Sequence, residues 1–404
     1  MIAKHYPRAL ALAAVFIFYT NLDGYLFSSD ILPSTAPVYW VIAYFVLAIP
    51  LVFDRKLLSL ILRSPLTWWC YGFLLISGIW LFFQASHSEI VWLGFGIRVS
   101  SVGFLVCLLV LLSRENAQLW ARCALLVAVL LGVATNLFEL FHPATFSPIV
   151  GRSAGIYINP NRSGNALVLG MIFSMGILNR RFRVLLAIIV LGGVTLTFSR
   201  AAILGYLIAV LTLVLTGMIS LRKSLLLAIS GVSALFVPLL VWWNELLLQL
   251  RGVGVLNQNV LGRIDWFTKP QGASDYSSIE RYDVAKAAWE MFTERPILGH
   301  GISSTKEWSY GVSSHNQYLS FMADHGVVGA FILPLLVLAV TWKSRGEVRQ
   351  TGLAFATFTL YIGLFTHNVL DERYFLMMFG LMASMVIIAK RQWETYKTYE
   401  CNEG

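Results

Sequence analysis

A histidine stands at the edge of a long apolar run. Ser313-Ser314-His315-Asn316-Gln317-Tyr318-Leu319 leads straight into FMADHGVVGAFILPLLVLAV. Ser314 to Gln317 fits a capping box, which predicts a helix with His315 at its first position. The positive end of a helix disfavours imidazolium, so the ring would stay neutral and able to take a proton. That is the state a general base needs. An interfacial histidine that only hydrogen-bonds the adjoining loop fits the same position, and position alone leaves both readings open.

The candidate partners of such a base are cations. Arg98 lies inside an apolar stretch. An arginine there costs about 2.5–3.5 kcal/mol on insertion scales and so usually faces a polar cavity. Arg200 follows Ser199 at the junction of two apolar stretches, where snorkelling is the plainer account. Ser277-Ser278-Ile279-Glu280 fits a second capping box with Ser277 as N-cap. Val284, Ala287, Ala288, Met291 and Phe292 then share one helical face, and Arg295 before Pro296 marks the helix end. Arg281 would occupy the first turn, where the dipole disfavours a cation, so its guanidinium either serves an anion such as phosphate or is an ordinary surface group.

Other polar residues read more simply. Asn159-Pro160-Asn161-Arg162 is a turn before an apolar stretch. His367, Asp371, Glu372 and Arg373 crowd one short gap, which reads as a local ion pair. His300 sits in a flexible Gly-His-Gly turn and takes no role. His5, His87, His142 and His325 lack metal-ligand spacing, and no phosphate-cradling loop or dinucleotide fingerprint occurs. Neither a metal nor another cofactor is expected.

The elements that must hold these residues are membrane helices. Of 404 residues, 57% are hydrophobic and 13% charged, against about 25% charged in a soluble domain. The expectation is an all-α polytopic integral membrane protein with about twelve spans of bilayer length. They fall near 9–27, 37–53, 65–84, 90–112, 119–138, 163–178, 184–198, 200–218, 224–243, 315–342, 350–367 and 372–389. Lys and Arg concentrate in alternate gaps and both tails, which predicts cytoplasmic termini. The formal charge of +9 is this topological bias and does not argue for nucleic acid. Residues 1–243 would hold nine spans. Residues 244–314 would form one large helical outer loop, too long to be a mere connector. Residues 315–404 would supply the last three spans and a tail. Cys70, Cys107 and Cys123 lie in or beside spans and Cys401 in the tail, so no disulfide framework is expected.

The runs RYDVAKAAWEMFTERPILGHG (281–301) and SSHNQYLSFMADHGVVG (313–329) resemble the O-antigen ligase and polymerase superfamily. So do Asn159-Pro160-Asn161 before a span, Ser199-Arg200 at a span junction and HNVLDERY (367–374). The likeness covers residues 150–375. It implies a glycosyltransferase of the bacterial inner membrane with its site facing the periplasm. The donor would be a polysaccharide on undecaprenyl diphosphate and the acceptor the lipid A core, as in an O-antigen ligase. A polymerase joining lipid-linked repeat units is the alternative. By the resemblance His315 takes the proton of the acceptor hydroxyl, and Arg200 and Arg281 grip the diphosphate. Arg162 and Arg98 would assist, and Asn316 and Asp371 would contact substrate. A lipid-linked sugar transporter fits less well, because the chain lacks paired halves with broken helices.

Overall fold

The computed structural model describes residues 2–84, 87–220, 276–308 and 313–403, which form helices with no strand among them. Each expected span coincides with a helix except 224–243, which lies outside the described residues. So does the first part of the expected outer loop, 244–275, with Arg251, Arg263 and Lys269.

Among the described residues five helices are long and apolar enough to cross a membrane: Pro65–Phe83, Glu89–Leu112, Glu115–Phe141, Gln317–Thr341 and Arg373–Thr395. The bent pair His5–Tyr19 and Leu22–Ser28 makes a sixth if it is one span. The protein is therefore a multi-pass membrane protein. Pro37–Val52 and Arg200–Leu215 are apolar but shorter, and Pro160–Ser174, Arg180–Leu196 and Gly346–Ile362 run only 15 to 17 residues. Arg55–Leu62, capped by Asp54, is a short amphipathic helix that apolar-run counting passes over.

Two helices form the axis of the molecule. Pro160–Ser174 is buried almost throughout, and the first half of the helix starting at Arg373 is buried with it, from Tyr374 to Met382. A helix apolar on every side belongs at the centre of a bundle. Leu105, Leu108, Leu125, Val129, Phe355 and Phe358 close around them. Outward faces carry Leu75, Phe82, Leu93 and Phe331 in the open, as lipid-facing surfaces do. Both axial helices begin at the same end of the bundle, directly beside polar residues.

That end is tied together by two glycine turns. Gly299 has φ +68° and Gly326 φ +63°, conformations that cost a residue with a Cβ. A Cβ on Gly326 would lie 2.4 Å from the carbonyl oxygen of Ile297, and one on Gly299 2.5 Å from that of Asp324. The two segments run backbone against backbone. Val327 N–H donates to Pro296 (2.7 Å), His300 N–H to Ala323 (2.8 Å) and Gly301 N–H to Asp324 (3.0 Å). The helix Tyr276–Glu294 thereby packs on the helix Gln317–His325, as its buried Val284, Ala287 and Ala288 require.

Candidate active site

Three helix starts and one helix face meet around a cavity of about 140 Å³. At the first start, the Asn159 side-chain oxygen accepts the Asn161 and Arg162 N–H groups, with Pro160 pre-set for the first position. Arg162 projects from this turn and pairs with Glu372 at 2.6 Å. At the second, Phe198 at φ +48° breaks the chain and the Ser199 hydroxyl caps the helix at Ala202 N–H. This sets Arg200 at the cavity wall. The third start carries His315, and Arg281 reaches in from the helix Tyr276–Glu294. Unpaired N–H groups at helix starts add positive potential to the three guanidinium groups, so the cavity favours an anion.

His315 stands just before its helix at φ +52°, a sparsely populated conformation for a side-chain-bearing residue. The ring lies 5.4 Å from that of His367, edge to face. Burial lowers the pKa of His315 below the usual range and Arg281 lowers it further, against a smaller opposing pull from Glu280. His367 goes down to about 3, through burial first and then His315, Lys306 and Arg162. Both rings are neutral at ordinary pH and keep a nitrogen lone pair. Burial pushes Glu372 up, though Arg162 and Asn368 pull it back.

Residues 185–334 match the model of the family described as O-antigen ligase. This segment is similar to the O-antigen ligase and polymerase superfamily. No curated protein and no solved structure matches the chain. The O-antigen ligase segment holds Arg200, Arg281 and His315. Arg162, His367 and Glu372 come to the same cavity from outside it.

The O-antigen ligase reading of individual residues needs corrections. The helix after His315 runs Gln317–His325 and its N-cap is Asn316, whose oxygen accepts Tyr318 and Leu319 N–H. Ser314 is therefore not the cap, His315 is not the first helical residue, and the Asn316 side chain is committed to backbone. Ser277 is likewise inside a helix that already runs at Tyr276, which moves Arg281 out of the first turn and removes the dipole argument for it. The Arg281 side chain is half-buried at the cavity instead. Arg98 is absent from the cavity wall and pairs with Asp324 at 2.6 Å. Asp371 faces away from the cavity and pairs with Lys306 at 3.6 Å. The crowd at 367–373 is no local ion pair, because Asp371, Glu372 and Arg373 reach Lys306, Arg162 and Asp23 respectively.

Two contributors escaped sequence reasoning. Glu139 is buried and its carboxylate accepts four backbone N–H groups, from Phe146, Ser147, Ala154 and Gly155. It folds the segment that delivers Asn159 and Arg162. Arg152 continues this bracing, donating to the Thr197 carbonyl and to Asn161 Oδ1. Glu139 lies in the last turn of the helix Glu115–Phe141, and its backbone partners leave no signal in the sequence. A larger cavity, about 830 Å³, is elsewhere, an apolar groove between Ile79, Trp80, Phe83 and the turn Arg295–Gly301. Its wall carries Arg295 and His300, whereas the smaller cavity gathers three arginines and two histidines.

Proposed function

We propose that this protein is a membrane glycosyltransferase that moves O-antigen polysaccharide from undecaprenyl diphosphate to the lipid A core. The observation that carries this is the meeting of three arginines with a neutral histidine in one cavity at one end of the bundle. The family described as O-antigen ligase supports the reaction class.

The steps follow from the residue types. Arg200 and Arg281 grip diphosphate oxygens, since guanidinium offers two parallel donors to a phosphate. Arg162, braced by Glu372, adds a third donor. The acceptor hydroxyl oxygen bonds to the anomeric carbon as the bond from that carbon to the diphosphate oxygen breaks. The leaving electron pair stays on the diphosphate, where the arginines stabilise it. His315 receives the hydroxyl proton. The diphosphate linkage supplies the driving force, so neither ATP nor a metal is required. The site faces the periplasm of the bacterial inner membrane, with both termini cytoplasmic, as the Lys and Arg distribution supports.

Purified protein incubated with undecaprenyl-diphosphate-linked polysaccharide and rough lipopolysaccharide tests this, with glycan attached to the lipopolysaccharide as the expected result. Deleting the gene adds a second test. Polymer that persists on the lipid carrier but is lost from lipopolysaccharide supports the ligase. Loss of long chains everywhere would instead mean a polymerase that joins lipid-linked repeat units.

A further inference from the structure

We propose that a second cavity, on the far side of His367, is the acceptor subsite and takes an uncharged sugar hydroxyl; this rests on the glycosyl-transfer reading above. Among the described residues His367 alone lines both cavities. The second measures about 40 Å³. A cavity needs about 10–15 Å³ of such space to hold one water, so this one admits a hydroxyl or hydroxymethyl group.

The charges of the two walls differ. The first cavity is lined by Arg162, Arg200 and Arg281, with Glu372 paired to Arg162. Around the second, each cation stands against an acid: Arg98 with Asp324 at 2.6 Å and Lys306 with Asp371 at 3.6 Å. An anion entering there would have to break a pair, and a cation likewise. A sugar hydroxyl breaks none, because it accepts from an ammonium and donates to a carboxylate at once.

The polar atoms of this wall suit such a guest. Thr305, Ser313 and Ser320 contribute hydroxyls beside Lys306 and Asp371. The Ser313 hydroxyl oxygen is buried with no hydrogen-bond partner, and so is Nδ1 of His367 in the partition. Buried polar atoms left unpaired cost about 1–3 kcal/mol each, which a bound hydroxyl removes. A hydroxyl seated here comes past His367 toward the diphosphate cavity, where His315 stands 5.4 Å from the His367 ring.

The test uses the purified full-length protein with undecaprenyl-diphosphate-linked polysaccharide as donor and rough lipopolysaccharide as acceptor. Lys306→Met and Ser313→Ala are compared with the unaltered protein for acceptor KM, donor KM and the slow hydrolysis of donor without acceptor. Lys306→Met should raise acceptor KM about tenfold and Ser313→Ala about threefold, the loss of one hydrogen bond each. Donor KM and donor hydrolysis should stay within roughly twofold, as expected when only acceptor contacts are lost. An unchanged acceptor KM in both variants, or a matching rise in both KM values, overturns the subsite. No transfer by the unaltered protein overturns instead the function on which the subsite rests. Ser313→Ala removes one oxygen atom and breaks no ion pair, so it keeps the test decisive if Lys306→Met fails to fold.

Discussion

Two arginine and histidine assemblies lie in this molecule, and they are built to opposite ends. In the first, Arg98 is buried and its guanidinium is fully engaged. It meets Asp324 Oδ2 at 2.6 Å, His325 Nε2 at 2.6 Å and Ser77 Oγ at 3.2 Å. It also lies 5.6 and 5.7 Å from the Phe73 and Phe321 rings. Asp324 in turn accepts Ser303 N–H, Ser304 N–H and the Ser304 hydroxyl. In the second, Arg162, Arg200 and Arg281 line open space beside His315 and are half-buried, and Arg162 pairs with Glu372. In the first assembly an anion would have to displace Asp324 from Arg98. The second places three guanidinium groups on the wall of one cavity.

The sharpest way to break this contrast is at the histidine. His315→Ala should lower transfer by about 10²- to 10⁴-fold, the usual worth of a positioned base, with expression and melting temperature unchanged. Near-normal glycan attachment at equal expression would return His315 to the role of an interfacial residue. Arg98→Ala should fail differently. Removing one partner of a buried pair costs about 3–5 kcal/mol, read as a lower melting temperature in detergent. Adding Asp324→Ala should recover part of that loss. If Arg98→Ala instead melts normally and loses transfer, the first assembly is part of the chemistry and the contrast fails.

The contrast also marks how far the sequence could be read. Apolar runs located the helices well, because bilayer burial writes its demand into consecutive residues. They left the number of crossings open, because helices of 15 to 17 residues such as Pro160–Ser174 look the same in composition as full spans. Arg200 and Arg281 were legible through local breaks and a known motif order. Arg98 was not separable from them, since its partner Asp324 lies 226 positions away. The caps at Asn316 and near Tyr276 were misplaced by local rules. Ser314 offers its hydroxyl to the Asn316 carbonyl and Ser320 instead of a helix start. Glu139 was invisible, because its four donors belong to backbone and backbone leaves no trace in side-chain spelling.

Smaller effects sharpen the open assembly. Arg200→Lys and Arg281→Lys each keep the charge and lose the planar fork, so each should cut transfer about tenfold, one bidentate contact with phosphate. Full activity in both would reduce these residues to general electrostatics. The pH profile reads the same wall. A histidine in water titrates near 6.5, and burial and Arg281 lower His315 from there. The base therefore stays neutral as pH falls through 6.5, and transfer should decline only below it. Arg281→Gln, by removing one cause, should move that decline upward. An acid limb at or above pH 6.5 in the unaltered protein would contradict the buried, cation-flanked position of His315. His367 adds a stability term of known sign. The unfolded chain binds a proton near pH 6.5 and the folded one only near 3, so stability should fall as pH drops across that window.

The smallest expected effect belongs to metal removal, and the geometry explains why it is worth measuring. Asp371 and Glu372 are adjacent in sequence and were the pair best placed to gather a divalent cation beside the substrate diphosphate. The fold sends them apart: Asp371 meets Lys306 at 3.6 Å and Glu372 meets Arg162 at 2.6 Å. Each carboxylate already faces a cation of the protein, and a Mg²⁺ ion would have to displace it while keeping an octahedral shell of oxygens at about 2.0–2.1 Å. Arginine can stabilise the leaving diphosphate without that rearrangement. Incubation with EDTA should therefore leave the transfer rate unchanged, and added Mg²⁺ or Mn²⁺ should not raise it. Activity that vanishes with chelator and returns with metal would mean the acids leave their arginine and lysine partners when substrate binds. Asp371→Asn and Glu372→Gln would then abolish the metal response, and the open assembly would count as an incomplete metal site instead of a finished arginine one.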